Sequence, residues 1–428
     1  MYQFRDPIHG FIEVSELEKT LIDSAPFQRL RNIRQLATTY LVYHGAEHTR
    51  FGHSLGVMHL VTKAFDVVIS KNPELFDEHR REWYRQILRL IALIHDLGHA
   101  AFSHASEKLF EDGLEHEDYT KDILFNTEVA DIIRKIGETF NESHNYDITP
   151  ELLWLIYDGK DVMDENYIMP DFIFLKSFMD GALDCDKMDY LIRDSYFCGV
   201  KYGDYDIERL VSSFTAYQNA DENILLLAVE YGGVHALEEF VLARYFMFIQ
   251  VYFHKTRRFM DKRLVSCLEN ILPDRKYPVN ILEYMDWDDT KVINEMKAHK
   301  GKSFSDNFLE RNIMSCIYQT DIHANHSEVK RFSLIVRTLE KEIKRLGVDE
   351  KDLGNYVIVD EVSQPVHKIS EGLKDKNDIP IMVEYQEKPE TIYEKSLLLA
   401  ALRQKPISIN RIYVADKFKE LAKEIIHG

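Results

Sequence analysis

Apolar residues in this chain recur mainly with the spacing of an α-helix. Trp83, Ile87, Leu90, Ile91 and Ile94 fall on one stripe, which predicts a helix whose last turn carries His95 and Asp96 before Gly98 ends it. From Pro26 to about Leu346 the chain reads as helices joined by short loops. No proline interrupts the interval between Pro170 and Pro273, and apolar periodicity runs on from Val234 to Cys267. After Gly354 the pattern changes. Tyr356-Val357-Ile358-Val359, Ile379 to Val383 and Ile407 to Val414 are runs of strand type, and Asp416 to Ile426 reads as a closing helix. The expectation is a mainly α protein, with a helical core over 1–346 and a smaller C-terminal α+β lobe over 347–428. Between 141 and 170, Pro150, Asp158-Gly159 and clustered acids predict loop and short helix, a lid or interface insertion in the core. Internal repeats and low-complexity stretches are absent from the pattern.

His95 and Asp96 put an imidazole and a carboxylate side by side on a rigid element. His53 upstream and Asp186 downstream sit on other predicted helices, so ligands from three helices would meet inside a bundle. Imidazole nitrogens with carboxylate oxygens suit Zn, Mn, Fe, Ni or Co. Histidines cluster here: His95, His99, His104 and His116 fall within one short stretch, the last followed by Glu117. Further on, Asp186, Tyr190 and Asp194 stand at i, i+4 and i+8, with Lys187 one turn below Tyr190. One helix thus offers a metal ligand, a phosphate partner and two polar groups, while Asp184 and Asp189 point elsewhere and are read as structural. Arg244, Phe248 and Tyr252 share the same spacing just before His254-Lys255. A metal held in this way lowers the pKa of water and polarises phosphorus, which makes hydrolysis the expected reaction. A histidine would give the leaving alkoxide its proton.

Charge narrows the partners. With 53 basic and 72 acidic residues the net charge is −19, which argues against nucleic-acid binding, because that affinity rests on clustered lysine and arginine. A bound phosphate must meet a local positive pocket or a metal, and Arg50, Lys187, Arg244 and Lys255 are the cations beside site motifs. Cys185, Cys198, Cys267 and Cys316 form no short pairs, so neither a zinc knuckle nor a disulfide framework is expected. No stretch approaches the roughly 18 apolar residues of a membrane span. Arg5, Asp6 and Pro7 stand where a secretory signal needs an apolar core, so a cytoplasmic protein is expected.

Three ordered strings carry a family resemblance: His48-Thr49-Arg50-Phe51-Gly52-His53-Ser54-Leu55-Gly56, His95-Asp96-Leu97-Gly98-His99, and Asp186-Lys187-Met188-Asp189-Tyr190-Leu191-Ile192-Arg193-Asp194. Together they resemble the HD-domain phosphohydrolases and, more narrowly, the deoxynucleoside triphosphate triphosphohydrolases, a group that includes a vertebrate enzyme with a sterile alpha motif. The likeness starts at Asp6-Pro7-Ile8-His9-Gly10, runs through Phe27-Gln28-Arg29-Leu30-Arg31 and reaches His254-Lys255. It implies an HD-domain helical core with a divalent metal ion (Mn, Mg, Fe, Zn, Ni or Co) on His53, His95, Asp96 and Asp186. The implied reaction is dNTP plus water giving deoxynucleoside and inorganic triphosphate. His99, His104 and His116 would lie at the α-phosphate, with His104 favoured as acid and the other two positioning phosphate or water. Arg50, Lys187 and Arg244 would meet the triphosphate. Gln35, Tyr190, Asp194 and Tyr252 would hold the sugar, the Tyr190 ring lying against the 2′ carbon where a ribose hydroxyl would clash. Phe248 departs from the histidine of the vertebrate enzyme.

The resemblance also implies regulation. Asp23, Gln28 and Arg31 match a cluster that binds an activating guanine nucleotide at a subunit interface of the vertebrate relative, while Tyr2 and Gln3 depart from its lysine and valine. The implied assembly is a homotetramer activated by GTP or a second dNTP. Taken from the residues alone, Gln28 and Arg31 at i, i+3 are the solvated face of an amphipathic helix. Two other functions stay open: another HD-domain nucleotide phosphohydrolase or phosphodiesterase, releasing orthophosphate or a monophosphate, and a non-catalytic nucleotide sensor.

Overall fold

The computed structural model describes residues 1–158, 171–221, 223–370, 373–386, 388–403 and 406–427, and it is mainly helical, with small sheets. At its centre the helix Arg50–Lys71 is buried over most of its length and packs against the helices Glu78–Ile94 and Cys185–Cys198. Glu78–Ile94 starts on Asp77, whose side chain accepts the Arg80 N–H, and Trp83, Ile87, Leu90, Ile91 and Ile94 are all buried, as their spacing predicts. Cys185–Cys198 starts on Asp184, which accepts the Lys187 N–H, and ends on Gly199 in the left-handed region at φ 69°. Gly56 lets two of these helices meet, since a Cβ there would lie 2.0 Å from Asp189 Oδ1 and 2.4 Å from the Arg193 guanidinium.

Strands appear within the span expected to form the helical core. Tyr2–Asp6 and Gly10–Val14 form an antiparallel hairpin, and Phe214–Asn219 with Ile224–Glu230 form another inside the interval read as all helix. Ile224–Val229 is buried at every position, so no polar-apolar alternation marks it as a strand. Pro380–Met382 joins it as a parallel neighbour, with Glu390–Thr391 at the edge. In a third sheet Ile407–Val414 lies between Ser315–Gln319 and Val357–Gln364, antiparallel to both. The helices His326–Arg345 and Lys419–His427 cover that sheet through a small apolar cluster that includes Phe332, Leu339, Ile412 and Phe418. Both larger sheets take strands from either side of residue 346.

The stretch from Val234 to Cys267 is not one continuous helix. Val234–Met247 passes into a π-helical turn, Phe248–Tyr252, and a new helix, Lys255–Ile271, starts on His254, whose side chain accepts the Thr256 N–H. In the expected insertion, Glu128–His144 ends on Asn145 at φ 58° and Pro150–Asp158 is helical, while 159–170 lie outside the described residues. All four cysteines are free. Among the described residues no helix is long and apolar enough to cross a membrane.

Candidate active site

The three central helices bring His53, His95, Asp96 and Asp186 together. His95 caps the C-terminus of Glu78–Ile94, and its Nδ1 donates to the Ala92 carbonyl at 2.8 Å, because a carbonyl can only accept. In the neutral ring Nε2 is then the lone-pair nitrogen. That atom is buried with no hydrogen-bond partner, 3.3 Å from Asp96 Oδ1 and 3.8 Å from Asp186 Oδ1. Lone pairs facing lone pairs in a buried space need a proton or a metal ion between them. His53 meets carboxylates at both nitrogens: Nδ1 lies 2.8 Å from Asp189 Oδ2, and Nε2 is hydrogen-bonded to Asp186 Oδ1 at 2.9 Å and lies 3.7 Å from Asp96 Oδ2. Burial disfavours an imidazolium at His53, yet hydrogen bonds to Asp186 and Asp189 push its pKa up to about 10, so the cluster draws positive charge at neutral pH. His53, His95 and Asp96 offer ligand atoms within 4.8 Å of one another, and the donor set fits a divalent transition-type ion. Asp189, read from the sequence as pointing elsewhere, instead fixes the His53 imidazole.

Asp96 joins this cluster to the next. Its Oδ2 accepts from Arg50 at 2.7 Å and its Oδ1 faces His99 Nε2 at 3.1 Å. Burial alone would raise its pKa; Arg50, His95 and His99 hold it well below the usual carboxylate range. Beyond it, one carboxylate that the sequence reading passed over gathers three histidines. Glu107 faces His99 Nδ1 at 2.5 Å, His104 Nδ1 at 2.7 Å and His116 Nδ1 at 3.6 Å. His99 and His116 stack at 3.9 Å between ring centroids, and the His104 side chain is the exposed one at 67%. Burial works against protonated His116, but the Glu107 carboxylate raises its pKa above the ordinary value. The one available signal was spacing, since Glu107 follows His104 at i, i+3.

Both clusters open onto a cavity of about 740 Å³. Gln35, Arg50, Lys187, Tyr190, Asp194 and Tyr252 line it, as do His99, His104 and His116. Asp194 is held between His48 Nε2 at 2.8 Å and the Tyr252 hydroxyl, which donates at 2.7 Å. Gln35 Oε1 is buried without a partner, an acceptor waiting for a donor. Lys187 donates to the Gly181 carbonyl at 3.1 Å and pairs with Asp184, which caps its own helix and so is structural, as read.

Arg244 is a correction. It does not line the cavity: its guanidinium lies over the Phe248 ring at 4.5 Å and donates to the backbone carbonyls of Pro365 and Val366. The π turn at Phe248–Tyr252 breaks the i, i+4, i+8 register, so Arg244 and Tyr252 do not share the face that an ideal helix would give them. The expected activator residues lie apart from the cavity. Arg31 Nε donates to Gln28 Oε1 at 2.8 Å and its guanidinium covers Phe51 at 3.5 Å, while Gln28 Nε2 donates to the Ile22 carbonyl at 2.7 Å. Asp23 is exposed and pairs with Lys19 instead.

Comparison with known proteins places the chain in a family. Residues 50–158 match the family described as HD domain, and residues 205–425 match the HD associated region. The chain is 38% identical over 267 residues to the uncharacterized protein YwfO of Bacillus subtilis, covering 62% of this chain and 54% of that protein. It is 27% identical over 406 residues to the deoxynucleoside triphosphate triphosphohydrolase SAMHD1 homolog of Dictyostelium discoideum, covering 87% and 69%. The chain thus spans about half to two thirds of the length of these curated relatives. The crystal structure of a hypothetical protein from Aquifex aeolicus superposes with a TM-score of 0.77 at 32% identity, covering 99% of each chain.

Proposed function

The chain belongs to the HD-domain family with its HD-associated region, and from that membership we propose that it is a divalent-metal-dependent hydrolase cleaving a dNTP to a deoxynucleoside and inorganic triphosphate. What supports this most is the unpartnered His95 Nε2 among carboxylates at the wall of a cavity that also holds Gln35, Tyr190, Asp194 and Tyr252. A cation on His53, His95, Asp96 and Asp186 supplies Lewis-acid polarisation of a phosphate oxygen and of water. The chain's own groups do the rest. Arg50, fixed by Asp96 and by Ser103 Oγ at 2.7 Å, and Lys187, fixed by Asp184, present positive charge where it develops on the phosphoryl oxygens. Water adds to the α-phosphorus as the bond to O5′ breaks; His104, steered by Glu107, delivers a proton to O5′, and the proton that the water sheds replaces it on His104. His99 and His116, stacked on each other, position phosphate or water. Asp194 and Gln35 hold the 3′-hydroxyl, and the Tyr190 ring fills the space a 2′-hydroxyl would need.

Ion chromatography of the products from each dNTP and rNTP, with Mn, Mg and Co, tests this reading. Inorganic triphosphate with deoxynucleoside is expected. Orthophosphate or a monophosphate would identify another HD phosphohydrolase, and nucleotide binding without turnover a sensor. Activation belongs to the same proposal: a homotetramer in which GTP or a second dNTP binds at Asp23, Gln28 and Arg31 and favours the active assembly. Hydrolysis of one dNTP should then rise when another nucleotide is added, and Arg31→Ala should lose the response while light scattering reports the assembly. Rates independent of every added nucleotide refute it.

A further inference from the structure

We propose that Lys368 is the residue that receives the distal phosphates in this chain, and that Arg244 is a positioning residue setting the segment that carries it. The proposal rests on the triphosphate reading above. Arg244 is 5% exposed and turned into the fold, with its NH1 nitrogen donating to the carbonyls of Pro365, at 2.7 Å, and Val366. Residues on either side of those two clamped carbonyls behave differently, since Gln364, just before them, and Lys368, two positions after Val366, both line the cavity. Holding the backbone at this point fixes where a long, rotamer-rich side chain starts, which lowers the cost of ordering it on a ligand.

Charge singles out Lys368 from its neighbours. Arg50, Lys176, Lys187, Arg257, Arg258 and Lys376 also line the cavity, and each is paired with a carboxylate. Lys368 is exposed and has no ion-pair partner among the described residues. In a chain of net charge −19, an ammonium with no counter-charge is the group whose field is free to meet an incoming polyanion. The backbone clamp and the unpaired ammonium are separated by only two residues, so one short segment of the C-terminal half completes a pocket built mainly from the N-terminal half.

Inorganic triphosphate, titrated calorimetrically into the Mn-loaded full chain, is the probe. It reads binding without turnover, so the result stands whether or not a dNTP proves to be the substrate. Lys368→Ala should weaken triphosphate about tenfold and leave orthophosphate within about twofold, and Lys368→Arg should restore most of the loss. Equal triphosphate affinity in wild type and Lys368→Ala overturns the assignment. Arg244→Ala should lose about as much as Lys368→Ala, and the double variant no more than the worse single one, because both act through one contact. Additive losses overturn the positioning role, since Arg244 would then bind phosphate by itself. Circular dichroism checks the fold of each variant, and where Arg244→Ala does not fold, Arg244→Lys is read in the same cycle with the same two outcomes.

Discussion

In Asp189→Asn the carboxylate behind His53 loses half of its accepting capacity. Four donors converge on it: His53 Nδ1 at 2.8 Å, His9 Nε2 at 2.6 Å, and Arg193 Nε and NH2 at 2.7 and 2.9 Å. An amide accepts on one oxygen only, so its NH2 must face donors on one side; when it takes the Oδ2 place, where His53 and Arg193 Nε donate, neutral His53 relieves the conflict by moving its proton to Nε2. Protonated Nε2 cannot ligate a metal. Loss of such an orienting partner lowers metal affinity about 10- to 100-fold, which is about 1.4–2.7 kcal/mol. Stability falls as well, by about 3 kcal/mol, the low end for a broken buried pair, because Arg193 keeps Asp6 at 2.8 Å as an anion. Glu18→Gln is the control: Glu18 accepts from Arg89 Nε at 2.6 Å and NH2 at 2.8 Å, is as buried as Asp189, and does not line the cavity. The two variants should lose similar stability in urea, but only Asp189→Asn should lose Mn affinity in a calorimetric titration. Wild-type Mn binding by Asp189→Asn, or an equal loss in Glu18→Gln, refutes the orientation of His53 through Asp189.

Glu18 also predicts acid sensitivity. Burial opposes its charge, but Arg89 holds its pKa at about 2 against 4.5 when unfolded, so the pair contributes about 3 kcal/mol above pH 4.5, lost as pH falls toward 2; urea unfolding of wild type and Glu18→Gln should therefore converge across that window. Tyr190→Ala should shrink the preference for dATP over ATP chiefly by raising ATP turnover, and comparable turnover of the two by wild type removes the deoxynucleotide reading. Glu107→Gln removes the anion that raises the His116 pKa, so protonated His116, which positions phosphate, should be lost at lower pH and the alkaline limb of the kcat/KM profile should move to lower pH; an unmoved limb excludes the Glu107 linkage.

Of the helices that meet at the site, Glu78–Ile94 was legible because it carries a long apolar stripe, and a stripe fixes which face turns inward. Trp83 to Ile94 is such a stripe, and His95 and Asp96 follow from where it ends. Ile224–Val229 had no such marker: burial on both sides erases alternation, and a short apolar run reads equally as helix or strand. Glu107 was hidden for another reason, since its role depends on His99, His104 and His116 converging through two short 3-10 turns, where no period links side-chain direction to position. Arg244 shows the sharper limit. Its spacing to Tyr252 is that of one helix face, but a π turn inserts between them, and only contacts with Pro365 and Val366, distant in sequence, decide where the guanidinium goes. Periodicity reports on how a segment faces its own core. It carries no information about a strap from elsewhere in the chain, and Lys368 reaches the cavity on a segment of that kind, held by its backbone rather than by an apolar stripe. A residue type that fits a phosphate can therefore sit in the right helix and still serve as an anchor, while another cation lines the cavity from a stretch with no helical period.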